Sequence, residues 1–184
     1  LQVLGVPIKC LTLAEGPAGI ETQKQADLTI APMLALAARE EPAACGYVIA
    51  CFSDPGLHAL RDQTGLPVFG IQEASMLMAI TLGHSIGVIA IKQASVSRHM
   101  RAFGAMGVQS RIAAERPLGM SVAQLSGEGT LDAMIATGRV LRDQDGADVV
   151  IMGCAGMAPL RDALAANSTV ALIEGVAASV HLAQ

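Results

Sequence analysis

A chain of 184 residues is long enough to bury one substantial core, as a single domain or as two small lobes sharing a surface. Its residues are 52% hydrophobic, with three Phe, one Tyr and no Trp. The core must therefore come from Ala, Val, Ile, Leu and Met, which suits a parallel sheet covered by helices. A net charge of −4 with scattered Lys and Arg argues against a nucleic-acid partner, and apolar runs such as Tyr47 to Phe52 stop far short of the roughly 20 residues that span a bilayer.

Short β-branched runs alternate with helical patterns along the whole chain, which predicts βα units around parallel strands. Strands are expected at 3–13, 46–51, 67–71, 86–91, 108–113, 147–153 and 169–173. Residues 21–41 read as a helix broken at Pro32, whose missing N–H interrupts the ladder. The clearest helix is 129–144, where Leu131, Met134, Ile135, Gly138 and Leu141 share one face before Asp145 and Gly146 end it.

The two ends of this pattern echo one another. Tyr47-Val48-Ile49-Ala50-Cys51 is followed six residues later by Leu57, a helical stretch and a strand leading to Glu73. Val149-Val150-Ile151-Met152-Gly153-Cys154 is followed at the same offset by Leu160, a helical stretch and a strand leading to Glu174. Each half thus sets a cysteine at the end of one strand and a glutamate just past the end of the next. In open α/β sheets ligands bind at such strand ends, so Cys51 and Cys154 are expected to face one cleft.

Each cysteine also leads into a helix start. Ser53 or Asp54 is expected to cap the first helix, with Pro55 at an early helical position, while Ala155 and Gly156 after Cys154 allow close backbone approach to a ligand. A helix N-terminus lowers a thiol pKa and supplies donors for a developing oxyanion. One thiolate and one thiol facing each other could remove a proton from one face of a carbon and return it to the other. Glu73 and Glu174 are expected chiefly to interact with helix N-termini, with a secondary role in shaping the cleft.

The remaining candidates carry less chemistry. Cys10 and Cys45 read as small core residues, and His58, His84, His99 and His181 as solvated helix or loop positions. The cysteine spacing is not that of a secreted disulfide framework, so a reducing cytoplasm is expected. There is no CxxC or HExxH pattern, and residues 16–22 lack the glycine spacing and lysine of a phosphate-binding loop.

The segments Ala50-Cys51-Phe52-Ser53-Asp54-Pro55-Gly56-Leu57, Pro67-Val68-Phe69-Gly70-Ile71-Gln72-Glu73-Ala74 and Met152-Gly153-Cys154-Ala155-Gly156-Met157 together resemble the aspartate/glutamate/hydantoin racemase family, closest to its hydantoin and allantoin racemase branch. The resemblance implies two pseudo-symmetric α/β lobes with mainly parallel sheets flanked by helices and the site in the cleft between them. The second lobe would span roughly 70–150 and the first lobe the remainder. It implies Cys51 and Cys154 as catalytic acid and base, substrate held around Ser53, Asp54, Glu73, Gly153, Ala155 and Gly156, no metal or other cofactor, and a homo-oligomer. Maleate isomerase and arylmalonate decarboxylase are alternatives within the same superfamily. Outside it, a thiol redox protein or a non-catalytic binding domain for a small molecule remains open.

Three positions depart from the family pattern. The sole asparagine is Asn167, so the usual Asn-Pro-Asn motif after the first strand is absent, and a chain opening at Leu1 is compatible with a missing N-terminal strand. The strand Gly87-Val88-Ile89-Ala90-Ile91-Lys92 carries no threonine, and Gly19 stands where many members have serine.

Overall fold

The computed structural model describes residues 2, 3 and 6–183. Its first strands, β1 (Gln2–Val3) and β2 (Val6–Pro7), form a short antiparallel pair. The strand expected over 3–13 therefore ends at Pro7, which has no N–H to continue a ladder. Beyond it, residues 8–22 have no regular helix or strand, and those up to Ile20 line a cavity.

Helix α1 (Gln23–Leu28) starts in a capping box, with Thr22 and Gln25 each accepting from the other's backbone N–H. The break before α2 (Ile30–Glu40) falls at Thr29 rather than at Pro32. Pro32 instead sits in the first turn of α2, where most N–H groups have no intrahelical acceptor and a missing donor costs little.

Two parallel sheets follow. In the first, β3 (Tyr47–Ile49) pairs with β4 (Val68–Gly70), and α3 (Leu57–Gln63) makes the crossover. The second contains β5 (Ile86–Ala90), β6 (Ile112–Pro117), β7 (Val149–Met152) and β8 (Ala171–Glu174), in the order β6-β5-β7-β8. Every residue of β5 and β7 is buried, as near-continuous Ile/Val runs require in a sheet covered on both faces. The strand predicted at 108–113 begins at Ile112, because Gln109–Arg111 form a 3-10 turn first.

Helices α5 (Gln93–Ala105), α6 (Thr130–Asp143) and α7 (Arg161–Ala165) flank the second sheet. Helices α4 (Ile71–Leu82) and α8 (Gly175–Leu182) pack on one another and touch both sheets. Their close approach depends on Gly175, where a Cβ would lie 2.9 Å from Ser75 Oγ. Strands β7 and β8 lie beside β5 in the second sheet, and α8 is the element from beyond 150 that returns to β3 and β4.

Candidate active site

Cys51 follows the last residue of β3 by two positions, and Cys154 follows the last residue of β7 by two. Both partly buried thiols line one cavity of about 980 Å³, together with Ser53, Gly153, Ala155 and Gly156. The turn after Cys51 is closed by the Ser53 and Asp54 N–H groups, which donate to the Cys51 carbonyl at 2.8 and 2.9 Å. After Cys154 the chain enters a 3-10 helix, Ala155–Leu160, with Cys154 at its N-cap. Gly153 packs the end of β7 onto β5: its N–H donates to the Ile89 carbonyl at 2.8 Å, and a Cβ would come within 2.6 Å of that oxygen.

Both thiols are held above their ordinary range, contrary to the expected lowering. Burial pushes Cys51 up to about 11, opposed by the Ser53 N–H and the positive charge of Arg98. Burial also raises Cys154; the Gly156 N–H opposes this, and the Glu21 charge adds to it. Taking a thiolate out of water costs more than one or two backbone donors return. Cys51 also feels the charge of Cys154, so ionising one thiol disfavours ionising the other.

Asp54 and Glu73 do not line the cavity. The Asp54 carboxylate accepts from the N–H groups of Gln72 and Glu73 at 2.9 and 2.8 Å, so it caps α4 rather than α3. Helix α3 starts at Gly56, which has a positive φ, and Pro55 precedes the helix. Burial raises the Asp54 carboxyl to about 7 against those two donors. Glu73 sits in the first turn of α4 and pairs with Arg61, whose Nη2 lies 2.5 Å from Oε2. This ion pair holds the Glu73 carboxylate against α3.

Glu174 caps its own helix, accepting from the Val176 and Ala177 N–H groups at 2.9 and 2.8 Å. Its structural equivalent is Gly70, the N-cap of α4, and not Glu73. In one half the cap side chain stands on the strand end. In the other it is borrowed from the cysteine turn, and Gly70 leaves the room it needs.

Several residues at the site were not singled out by sequence. Arg98 is only 7% exposed, lines the cavity and donates from Nε to Ser53 Oγ at 2.9 Å. Glu21 bridges the loop over the cavity to the end of β5, pairing with Lys92 and accepting from the Val122 N–H at 3.0 Å. Lys92 thus stands just past the end of β5. Gly19 is explained by Val122, whose Cβ would lie 2.6 Å from any Cβ at that position.

His99, expected in solvent, is 2% exposed; Nδ1 lies 2.5 Å from Glu115 Oε1 and its ring meets Phe52 edge-on at 5.1 Å. The other three histidines are exposed. Cys10 and Cys45 are exposed as well, not in the core, because the segments carrying them border the cavity instead of joining a sheet. Among the described residues no cluster of three or more His, Cys, Asp or Glu is arranged to hold a metal ion. No helix among them is long and apolar enough to cross a membrane.

Comparison with known proteins places this geometry. The Asp/Glu/Hydantoin racemase family model matches residues 3–183. The chain belongs to that family. Hydantoin racemases from a Pseudomonas species and from Rhizobium meliloti are each 32% identical to it, over 92% and 91% of this chain and 69% and 71% of their own lengths. The allantoin racemase of Pseudomonas fluorescens superimposes with a TM-score of 0.92 at 25% identity, covering 97% of this chain and 77% of that one. Glutamate racemase from Francisella tularensis shares the two-lobe fold, with a TM-score of 0.68 at 18% identity and coverage of 92% and 66%.

Proposed function

We propose that this chain is a cofactor-independent racemase in which Cys51 and Cys154 exchange a proton at a carbon next to a carbonyl. The observation that carries the reading is the pair of thiols at the same offset past two strand ends, lining one cavity. One cysteine, as thiolate, removes the proton from one face, and the electron pair passes to the carbonyl oxygen as an enolate. The other, as thiol, delivers its proton to the opposite face, and the two exchange roles. Buried thiols suit this task, because mutual repulsion favours one thiolate facing one thiol.

Nearby charge distinguishes the two. At Cys51 the Asp54 charge disfavours ionisation and Arg98 favours it, whereas at Cys154 Glu21 disfavours it. Either thiol can open the reaction, according to which face of the carbon carries the proton. Ser53, Gly153, Ala155 and Gly156 would hold the carbonyl groups, and the substrate would be a hydantoin, allantoin or an aspartate- or glutamate-like compound. A reducing cytoplasm keeps both sulfurs as thiols, and assembly into a homo-oligomer belongs to the same reading.

Proton NMR in D2O tests it with enantiopure 5-substituted hydantoins, allantoin, aspartate and glutamate. Deuterium entering the carbon next to the carbonyl while optical activity falls is the expected result. Absence of exchange in every compound would move the assignment to an isomerase, a decarboxylase or a binding protein.

A further inference from the structure

A buried guanidinium without a counter-ion is costly, and three other described cations each have one. Arg61 pairs with Glu73, Lys92 with Glu21 and Arg116 with Asp145. Arg98 is more deeply buried than any of them. Among the described residues its partners are neutral: the Ser53 hydroxyl at 2.9 Å and the Glu21 carbonyl at a long 3.5 Å. The nearby carboxylates make no hydrogen bond to Arg98: Glu21 pairs with Lys92, and Glu115, whose charge still favours the guanidinium, meets His99 through Oε1 while Oε2 has no hydrogen-bond partner. The other charged side chains on the cavity wall are Lys9 and Glu40, which pair with each other, and Glu15 on the exposed loop.

We infer that Arg98 is a specificity-determining residue of this cavity and that the substrate presents a carboxylate to its guanidinium, beside Cys51. This rests on the racemase reading of the same cavity. The remaining N–H positions on the planar fork can meet the two oxygens of a carboxylate, a pairing a neutral ring does not reproduce. The same contact assists proton removal. A carboxylate near the reacting carbon opposes the second negative charge of the enolate, and a buried cation on it relieves that opposition. The inference selects acidic substrates, including a hydantoin with a carboxylate arm, over neutral hydantoins and allantoin.

Cys51 itself can report the charge preference without turnover. Iodoacetate and iodoacetamide both alkylate the thiolate with loss of iodide, so their rate ratio at Cys51 cancels any change in thiolate fraction and isolates the effect of the reagent's charge. Peptide mass mapping separates Cys51 from the other cysteines. Arg98→Gln should lower the iodoacetate-to-iodoacetamide ratio at Cys51 by about tenfold or more, while Arg98→Lys, which keeps the charge, should retain most of it.

On the unaltered protein, malonate should protect Cys51 from iodoacetamide at concentrations where malonamide does not, which keeps the test independent of how the variants fold. An unchanged ratio in Arg98→Gln, or equal protection by malonate and malonamide, overturns the inference. In parallel, deuterium exchange compares hydantoin-5-acetate with 5-methylhydantoin, and the unaltered protein should favour the acid. Exchange in neither compound counts against the racemase reading, whereas the alkylation ratio and malonate protection still decide the role of Arg98.

Discussion

The borrowed cap of α4 gives a sharp test of how the cysteine turn is held. A Cβ added at Gly70 would lie 2.2 Å from the Asp54 carboxyl carbon and from one of its oxygens, far inside contact distance. Gly70 itself has φ −97° and ψ 139°, an extended conformation that alanine adopts freely, so the backbone raises no objection to Gly70→Ala. The cost falls on Asp54, which must leave and give up its bonds to the Gln72 and Glu73 N–H groups. Losing a charged cap with two acceptor contacts costs about 2 kcal/mol or more, less whatever is regained when the carboxylate leaves the burial that raises its pKa. The displaced turn also carries Cys51, so exchange activity should fall by about tenfold or more.

Urea unfolding of a double-mutant cycle isolates this effect, run above the Asp54 pKa of about 7. Asp54→Gly removes the carboxylate and suits the positive φ of 42° at that position. In the Asp54→Gly background, Gly70→Ala should then cost less than about 1 kcal/mol, giving a coupling of about 1 kcal/mol or more. Additive costs would refute the reasoning, because they would mean that the alanine harms something other than the Asp54 cap.

Two further predictions follow from the same geometry. A thiol raised to about 11 is protonated throughout the neutral range, so Cys51 should be alkylated by iodoacetamide slowly near neutrality, with a rate rising about tenfold per pH unit up to roughly pH 10; a plateau below about pH 9 would contradict its burial. Gly19→Ser should push the loop off Val122 and lower stability by about 1–2 kcal/mol in thermal or urea unfolding, with Val122→Gly restoring most of the loss; a neutral Gly19→Ser would show that the loop does not rest there.

The central strands were legible because burial on both faces leaves little choice of residue. Ile86 to Ala90 and Val149 to Met152 are apolar throughout, and their Ile/Val content marks β structure. Cys51 and Cys154 were legible from a repeated offset, which places them alike on two strands. What the sequence hid were interactions between distant segments. Asp54 sits beside its own helix start yet caps a helix 18 residues away, because Gly70 opens the space. Arg98 and His99 look like ordinary helix-surface residues until α5 is laid against Ser53 and Glu115. Residues 8–13 read as a strand by composition, but strand propensity without a partner edge does not make a strand. The lowered thiol pKa expected from helix starts failed because desolvation, invisible in sequence, outweighs the backbone donors.

The central claim, that Cys51 and Cys154 work on opposite faces of one carbon, is tested most directly by giving Cys51→Ser and Cys154→Ser each enantiomer of a turned-over substrate separately in D2O. The account predicts that racemisation is lost in both variants, and that any residual deuterium exchange is confined to one enantiomer, the opposite one in each variant. Racemisation at the unaltered rate in either variant, or exchange of the same enantiomer in both, would contradict it.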